Sequence, residues 1–429
     1  MIEPAPITSV EDVVCTACGC VCDDLRLTVR SNRILQLEPP CPLAERWLKS
    51  FGTEDKPIAE VNGQPADYGV AVEQAARYLK ESVSPLIYGL SLSSTPGQRV
   101  AVALADQLGG TIDTTASQCH APSIMALQQV GESTCSLGEA KYRADLVIYW
   151  GVDPATTHPR HLERYSDSPQ DNQAHRMTRR EIVVVDTERT ATADNVDTFI
   201  PLQPDRHFEA LWTLRSLIRG VEPPGEERNW GADPELLRHL AARMRQATCG
   251  IFYFGLGLTA GALGARNVEA LLLLTRDLND LTRFHARRMR IYGDVAGADS
   301  VLCWQTGYPF SVNLAPGYPR YNPGEFSAND MLERGEVDCC LLVGDECRTT
   351  LSPRAREVLE RIPTIVLQGG DAEINHPARV RFRTAIYGIH AAGTAYRMDE
   401  IPLPLKPILT SRYPTDETVL AEIRKRLQG

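Results

Sequence analysis

Apolar residues fall along this chain in short, nearly continuous blocks, separated by longer segments with helical spacing. The blocks 86–89 (Leu-Ile-Tyr-Gly), 146–151 (Leu-Val-Ile-Tyr-Trp-Gly), 182–186 (Ile-Val-Val-Val-Asp), 251–255 (Ile-Phe-Tyr-Phe-Gly), 339–345 (Cys-Cys-Leu-Leu-Val-Gly-Asp) and 364–368 (Thr-Ile-Val-Leu-Gln) each read as a strand buried on both faces. Segments 68–79 and 97–108 carry the apolar spacing of helices. Strand, loop and helix in succession predict an α/β fold built on parallel sheet. Each block ends in Gly, Asp or Gln, so polar loops gather at the carboxyl ends of the strands, where open α/β sheets bind ligands. No G-x-G-x-x-G follows any of them. Gly255-Leu256-Gly257 is the nearest approach, and an ordinary turn is the competing reading of each loop.

The first fifty residues follow a different pattern. Segment 25–29 alternates, Ser31-Asn32 signals a turn, and 34–37 reads as a second strand, which predicts a small β-hairpin. Pro39-Pro40-Cys41-Pro42 ends it, and 43–51 looks helical. Elsewhere, 166–179 is polar and predicts an exposed loop or insertion, and 221–233 predicts a linker rich in Pro, Gly and Glu. The aromatic and Pro/Gly-rich stretches 304–309 and 317–325 predict ordered surface loops outside regular helix or central strand.

At 429 residues the chain has room for two or three domains, taking about 150 residues each. Charged residues make up 23% and hydrophobic residues 43%, the balance of a globular protein. A net charge of −10 argues against nucleic-acid binding by phosphate neutralisation. Twelve cysteines in a chain this long do not resemble a small secreted disulfide scaffold. The start, Met1-Ile2-Glu3-Pro4, shows no secretory signal, and no apolar run approaches the roughly 20 residues of a membrane span. The expectation is a cytoplasmic protein with reduced thiols and neither membrane nor nucleic-acid partner.

The cysteines change this picture most. Cys15, Cys18, Cys22 and Cys41 follow C-x2-C-x3-C-x18-C, with three thiols on one short loop. Thiolates are soft ligands, suited to iron–sulfur clusters and equally to zinc. Four buried reduced cysteines are the bland alternative. Cys20 lies off the spacing, either as a spare thiol or as a sign that the run is no cage. A second candidate is Cys119-His120, expected in a turn near a helix N-terminus over 124–130, where the helix dipole favours a thiolate. Arg287-Arg288-Met289-Arg290 reads as a solvated face or as an anion site. His158-Pro159-Arg160-His161 places two histidines three apart, but Pro159 spoils the helix that would align them as ligands.

Taken together, these residues resemble the B subunit of formylmethanofuran dehydrogenase, a relative of the molybdopterin formate dehydrogenases. Six blocks in order carry the resemblance: 15–24 (Cys-Thr-Ala-Cys-Gly-Cys-Val-Cys-Asp-Asp), 115–128 around Cys119-His120, 143–151 leading to 158–161, 304–309, 319–325 and 393–399. The resemblance implies a small cysteine and β-hairpin domain over 1–55, followed by two Rossmann-like parallel-sheet domains, 56–110 with 291–429 and 111–290. It implies a [4Fe–4S] cluster on Cys15, Cys18, Cys22 and Cys41. It also implies a molybdopterin guanine dinucleotide whose molybdenum or tungsten is ligated by Cys119, with His120 and Arg290 lining the formate centre. The implied partners are the other subunits of one complex: an amidohydrolase-like A, a C, and a D or formyltransferase subunit. The implied substrates are small one-carbon molecules. Four segments depart from the family pattern, at Thr187-Glu188, 291–294 (Ile-Tyr-Gly-Asp), 344–348 (Gly-Asp-Glu-Cys-Arg) and 369–374 (Gly-Gly-Asp-Ala-Glu-Ile). All lie at expected strand ends, and Glu188 and Glu346 would add negative charge near the pyrophosphate. These departures keep a second reading open: a non-redox scaffold subunit of a formyltransferase/hydrolase complex that releases formate from formyl-tetrahydromethanopterin. A zinc-stabilised binding protein is the third.

Overall fold

The computed structural model describes residues 6–49, 55–166, 180–223, 225–344, 346–370 and 377–428. Most of the expected 166–179 loop, the end of the helix at 50–51, Asp345 and 371–374 lie outside them. The chain forms two compact units, Met1–Gln118 with Tyr292–Gly429, and Cys119–Ile291.

The second unit is built on five parallel strands in the order Thr198–Pro201, Glu181–Asp186, Leu146–Trp150, Cys249–Phe254 and Arg283–Arg288. The near-continuous apolar blocks form the inner strands because both sheet faces are covered. On one face Ile148, Trp150, Phe252 and Phe254 pack with Leu211, Leu214, Leu237 and Leu271 from the helices His207–Ile218, Pro234–Gln246 and Gly264–Asn279. Tyr149, Tyr253 and Arg287 are lateral neighbours in the ladder. Arg287-Arg288, read from sequence as a solvated face or an anion site, forms the end of a buried strand. Arg287 and Arg288 are 3% and 5% exposed.

The first unit carries a nine-stranded sheet. Its five central strands, Thr111–Thr114, Pro85–Gly89, Cys339–Val343, Thr364–Gly369 and Val380–Thr384, are parallel. Short antiparallel hairpins close both edges. Strand Thr111–Thr114 belongs to this sheet, so the chain leaves the unit after 118 where sequence reading set the boundary at 110. At the reversal of strand order, between Pro85–Gly89 and Cys339–Val343, Gly89 has φ 120° and a Cβ there would lie 2.3 Å from the Val343 carbonyl oxygen. Only glycine lets the two strand ends approach so closely. The N-terminal hairpin gains a third strand, Thr8–Val13, beside Leu25–Arg30 and Arg33–Glu38, and is followed by the helix Pro42–Lys49. Its core residues Leu25, Leu27, Leu37 and Leu48 pack with Ile386, Ile389 and Leu409. The cysteine segment is therefore welded to the C-terminal part of the chain.

Trp304, Gln305 and Thr306, expected outside helix, complete the helix Val295–Thr306, which ends at Gly307 with φ 86°. The following loop is anchored by buried Asp113. Its carboxylate accepts from the backbone N–H groups of Thr114 (3.0 Å), Ser311 (2.8 Å) and Ala328 (2.7 Å). Burial pushes the Asp113 pKa up to about 7 against the pull of these donors. Asp113→Ala strands three buried donors, and urea unfolding is expected to show a loss of roughly 2–4 kcal/mol. The folded state holds the Asp113 proton to higher pH than the unfolded chain. Its contribution to stability is therefore full below the ordinary carboxylate range and is lost as pH rises towards about 7. Asp113→Asn is expected to flatten that part of the stability–pH curve.

Candidate functional site

The cysteine loop joins Thr8–Val13 to Leu25–Arg30 and folds back on itself. The Cys15 N–H donates to the Cys22 carbonyl (2.8 Å) and the Val21 N–H to that of Cys18 (3.1 Å), with Val21 at φ 36°. Cys15, Cys18, Cys20, Cys22 and Cys41 are all buried, and Cys41 immediately precedes the helix Pro42–Lys49. Burial pushes the Cys15 thiol well up, and the neighbouring Cys18, Cys22 and Cys41 raise it further. The four thiols of the expected set thus share one neighbourhood. Even so, among the described residues no group of three or more His, Cys, Asp or Glu side chains is arranged to hold a metal. The thiols are gathered without closing on a common centre. By donor chemistry the set fits a cluster or zinc.

One departure from the family pattern has a structural reason here. A Cβ on Gly293 would lie 2.1 Å from the Thr16 carbonyl oxygen, so glycine gives the cysteine loop its seat. Next to it, buried Asp294 accepts from Gln98 Nε2 (2.8 Å) and the Tyr396 N–H (2.6 Å).

In the second unit, Cys119 closes the short helical turn Ala116–Cys119 and is partly exposed. Its carbonyl accepts from Thr259 Oγ1 at 3.3 Å. His120 precedes the helix Ala121–Val130, and its carbonyl accepts from the Ile124 N–H (3.0 Å) and Ser123 Oγ (2.8 Å). The imidazole is fully buried, and neither ring nitrogen has a hydrogen-bond partner among the described residues. Burial pushes its pKa well down, and Arg290, Arg288 and His158 push it further. His120 is therefore a neutral imidazole with both nitrogens available, set in a positive field.

That field comes from the end of the strand Arg283–Arg288. The Met289 N–H still bonds the Phe254 carbonyl (2.8 Å), so the ladder carries Arg290 to the carboxyl end of the sheet, where it is 4% exposed. The structure brings His120 and Arg290 within electrostatic reach, as the resemblance implied. It adds Glu132 and His158, which sequence reading did not assign to this site. Arg288 pairs with Glu132 at 3.4 Å, both nearly buried. His158 donates from Nε2 to the Arg290 carbonyl at 2.7 Å, and its Nδ1 lies 2.8 Å from Thr157 Oγ1. Both ring nitrogens of His158 thus have neighbours within the protein. His161 bonds Tyr149 OH through Nδ1 at 2.9 Å. No spacing signal marked Glu132. His158 stood in a visible motif that pointed to other chemistry.

Fold and site together define a mixed α/β protein built on parallel sheet that carries a buried thiol loop. The fold is shared with acetylene hydratase from Pelobacter acetylenicus (TM-score 0.70, 11% identity, 98% of this chain and 69% of that one). It is also shared with the formyltransferase/hydrolase complex from Methylorubrum extorquens solved with methylofuran (TM-score 0.72, 22% identity, 86% of this chain and 98% of that one). In sequence the chain is 35% identical over 408 residues to the B subunit of tungsten-containing formylmethanofuran dehydrogenase 2 from Methanocaldococcus jannaschii, covering 93% of this chain and 94% of the relative. It is 32% identical over 425 residues to the protein of the same name in Methanococcus maripaludis, covering 97% of each. The B subunit of the formyltransferase/hydrolase complex Fhc from M. extorquens is 24% identical over 293 residues, covering 66% of this chain and 73% of the relative. The chain belongs to the family of formylmethanofuran dehydrogenase B subunits. No protein-family model matches it. Among the described residues no helix is long and apolar enough to cross a membrane.

Gly293→Ala places a methyl group against the Thr16 backbone. It is expected to cost roughly 1–3 kcal/mol and to make the loop thiols react faster with a disulfide reagent under native conditions. An unchanged reaction rate would separate Gly293 from the cysteine loop.

Proposed function

We propose that this chain is the redox-type B subunit of a formylmethanofuran dehydrogenase complex, interconverting carbon dioxide and formate within one-carbon metabolism. The observation that carries this is near-complete coverage at 35% and 32% identity with dehydrogenase subunits, against 24% over a shorter span with the formyltransferase/hydrolase relative. In this reading Cys15, Cys18, Cys22 and Cys41 hold a [4Fe–4S] cluster, and Cys20 is a bystander. Cys119 ligates the molybdenum or tungsten of a molybdopterin guanine dinucleotide. When bound, that group supplies two-electron chemistry and the cluster relays single electrons.

The chain's own residues supply the rest. Cys119 presents a partly exposed thiol just before a helix N-terminus, where the dipole favours the thiolate. Arg290 offers a guanidinium fork to a carboxylate such as formate. His120, neutral, gives or takes one proton at either ring nitrogen. Its burial excludes the water that would compete for that proton. Glu188 is exposed, so solvent screens the charge that its position would bring towards a pyrophosphate. The side chain of Glu346 lies outside the described residues.

Metal analysis of the purified complex tests the reading. It is expected to hold about four iron atoms for this chain, with tungsten or molybdenum. Cys18→Ser is expected to lose the iron, and Cys20→Ser to keep it. Cys119→Ser is expected to keep the iron and lose formate oxidation by more than a thousandfold, on the order expected for a lost ligand at the reacting centre. Unchanged turnover in Cys119→Ser overturns the assignment. Iron without tungsten or molybdenum supports the formyltransferase/hydrolase reading, and zinc alone the binding protein.

A further inference from the structure

We infer that His158 is a positioning residue for Arg290, holding the Arg290 carbonyl through its Nε2–H and so setting where the guanidinium stands. This rests on the formate-binding role proposed above for Arg290. The ladder ends at Met289, whose N–H takes the Phe254 carbonyl. From Arg290 onward the main chain has left the strand Arg283–Arg288. Its carbonyl is taken by His158 Nε2 at 2.7 Å. Where a backbone has left the ladder, a bond that pins it helps to place the side chain it carries.

The pin is itself held on all sides. His158 follows the short helix Pro154–Thr157 and donates its own N–H to the Pro154 carbonyl (2.8 Å), while its carbonyl accepts from the His161 N–H (2.7 Å). Only 1% of the residue is exposed. The tautomer follows from the partners. A carbonyl only accepts, so Nε2 carries the hydrogen. In the neutral ring Nδ1 must then accept. The Thr157 hydroxyl has one proton and lies 2.8 Å from Nδ1 and 2.9 Å from the Asp153 carbonyl, which also accepts from it. Nε2 is thus committed to holding the Arg290 backbone. The imidazole also lies within electrostatic reach of His120. One residue therefore links the segment after the strand Leu146–Trp150 to both expected members of the formate centre.

Two amide substitutions separate positioning from packing. The Nε2–H of Gln reaches the place of the imidazole Nε2, and the amide of Asn reaches only the place of Nδ1. In the purified complex, His158→Gln is expected to keep the KM for formate within about threefold, and His158→Asn to raise it about tenfold with kcat changed less than threefold. Iron and tungsten or molybdenum contents are expected to match wild type in both. A cofactor-independent readout is labelling of Arg290 by phenylglyoxal, followed by peptide mapping. It is expected to be several-fold faster in His158→Asn than in His158→Gln. Equal KM values or equal labelling rates in the two variants overturn the inference. If wild-type complex shows no formate oxidation, the redox reading falls, and the labelling comparison alone still decides the positioning role.

Discussion

A guanidinium does not deprotonate inside a protein, so burying three of them at one strand end dictates what must surround them. Arg287, Arg288 and Arg290 are all buried at the end of Arg283–Arg288 and just beyond. Each demands partners that cannot be water. Arg287 Nη2 donates to the Cys135 carbonyl at 2.6 Å, and Arg288 pairs with Glu132. The loop 131–135 therefore has to fold against this strand. Burial holds His120 neutral, with Arg290 and Arg288 adding to the effect, and burial holds His158 neutral with its pKa lowered to about 4. In the dehydrogenase reading, this positive field, the neutral buried imidazole and the neighbouring Cys119 are the setting offered to an anionic one-carbon molecule.

The cysteine loop is built by a different logic. Its geometry comes from backbone: the bonds from Cys15 to Cys22 and from Val21 to Cys18, and the seat that Gly293 leaves for Thr16. Four thiols are thereby gathered by the fold without closing on a common centre. In the dehydrogenase reading the cluster completes what the backbone begins. The loop is welded to the C-terminal segment through Leu25, Leu37, Ile386 and Leu409, so closure of the cage would be felt there as well.

Much of the fold was legible in the chain because strands covered on both faces must be apolar along their whole length. Leu146–Trp150, Cys249–Phe254 and Thr364–Gly369 declare themselves that way. The strand Arg283–Arg288 was hidden for the same reason. Half of its side chains are arginines, and only tertiary partners make it a strand. Trp304 looked like loop because Pro309 follows closely, yet the helix runs on until Gly307. Asp113 gave no sign that it ties residues 311 and 328 to its own strand, since such pairing spans some two hundred residues. At the candidate site, the joint role proposed for Cys119, His120 and Arg290 rests on resemblance, since no local pattern connects Arg290 with the other two. Glu132 and His158 were not assigned there, because their roles are hydrogen bonds and pairs that no local pattern encodes.

The dehydrogenase reading stands on this chain carrying a cluster that exchanges electrons with a formate-oxidising centre. The most direct measurement is the low-temperature electron paramagnetic resonance spectrum of the anaerobically oxidised complex, before and after formate is added. Formate alone is predicted to elicit a reduced [4Fe–4S] signal, and this signal is predicted to vanish in Cys18→Ser. A cluster signal that appears with dithionite but not with formate, or no iron signal under either reductant, contradicts it.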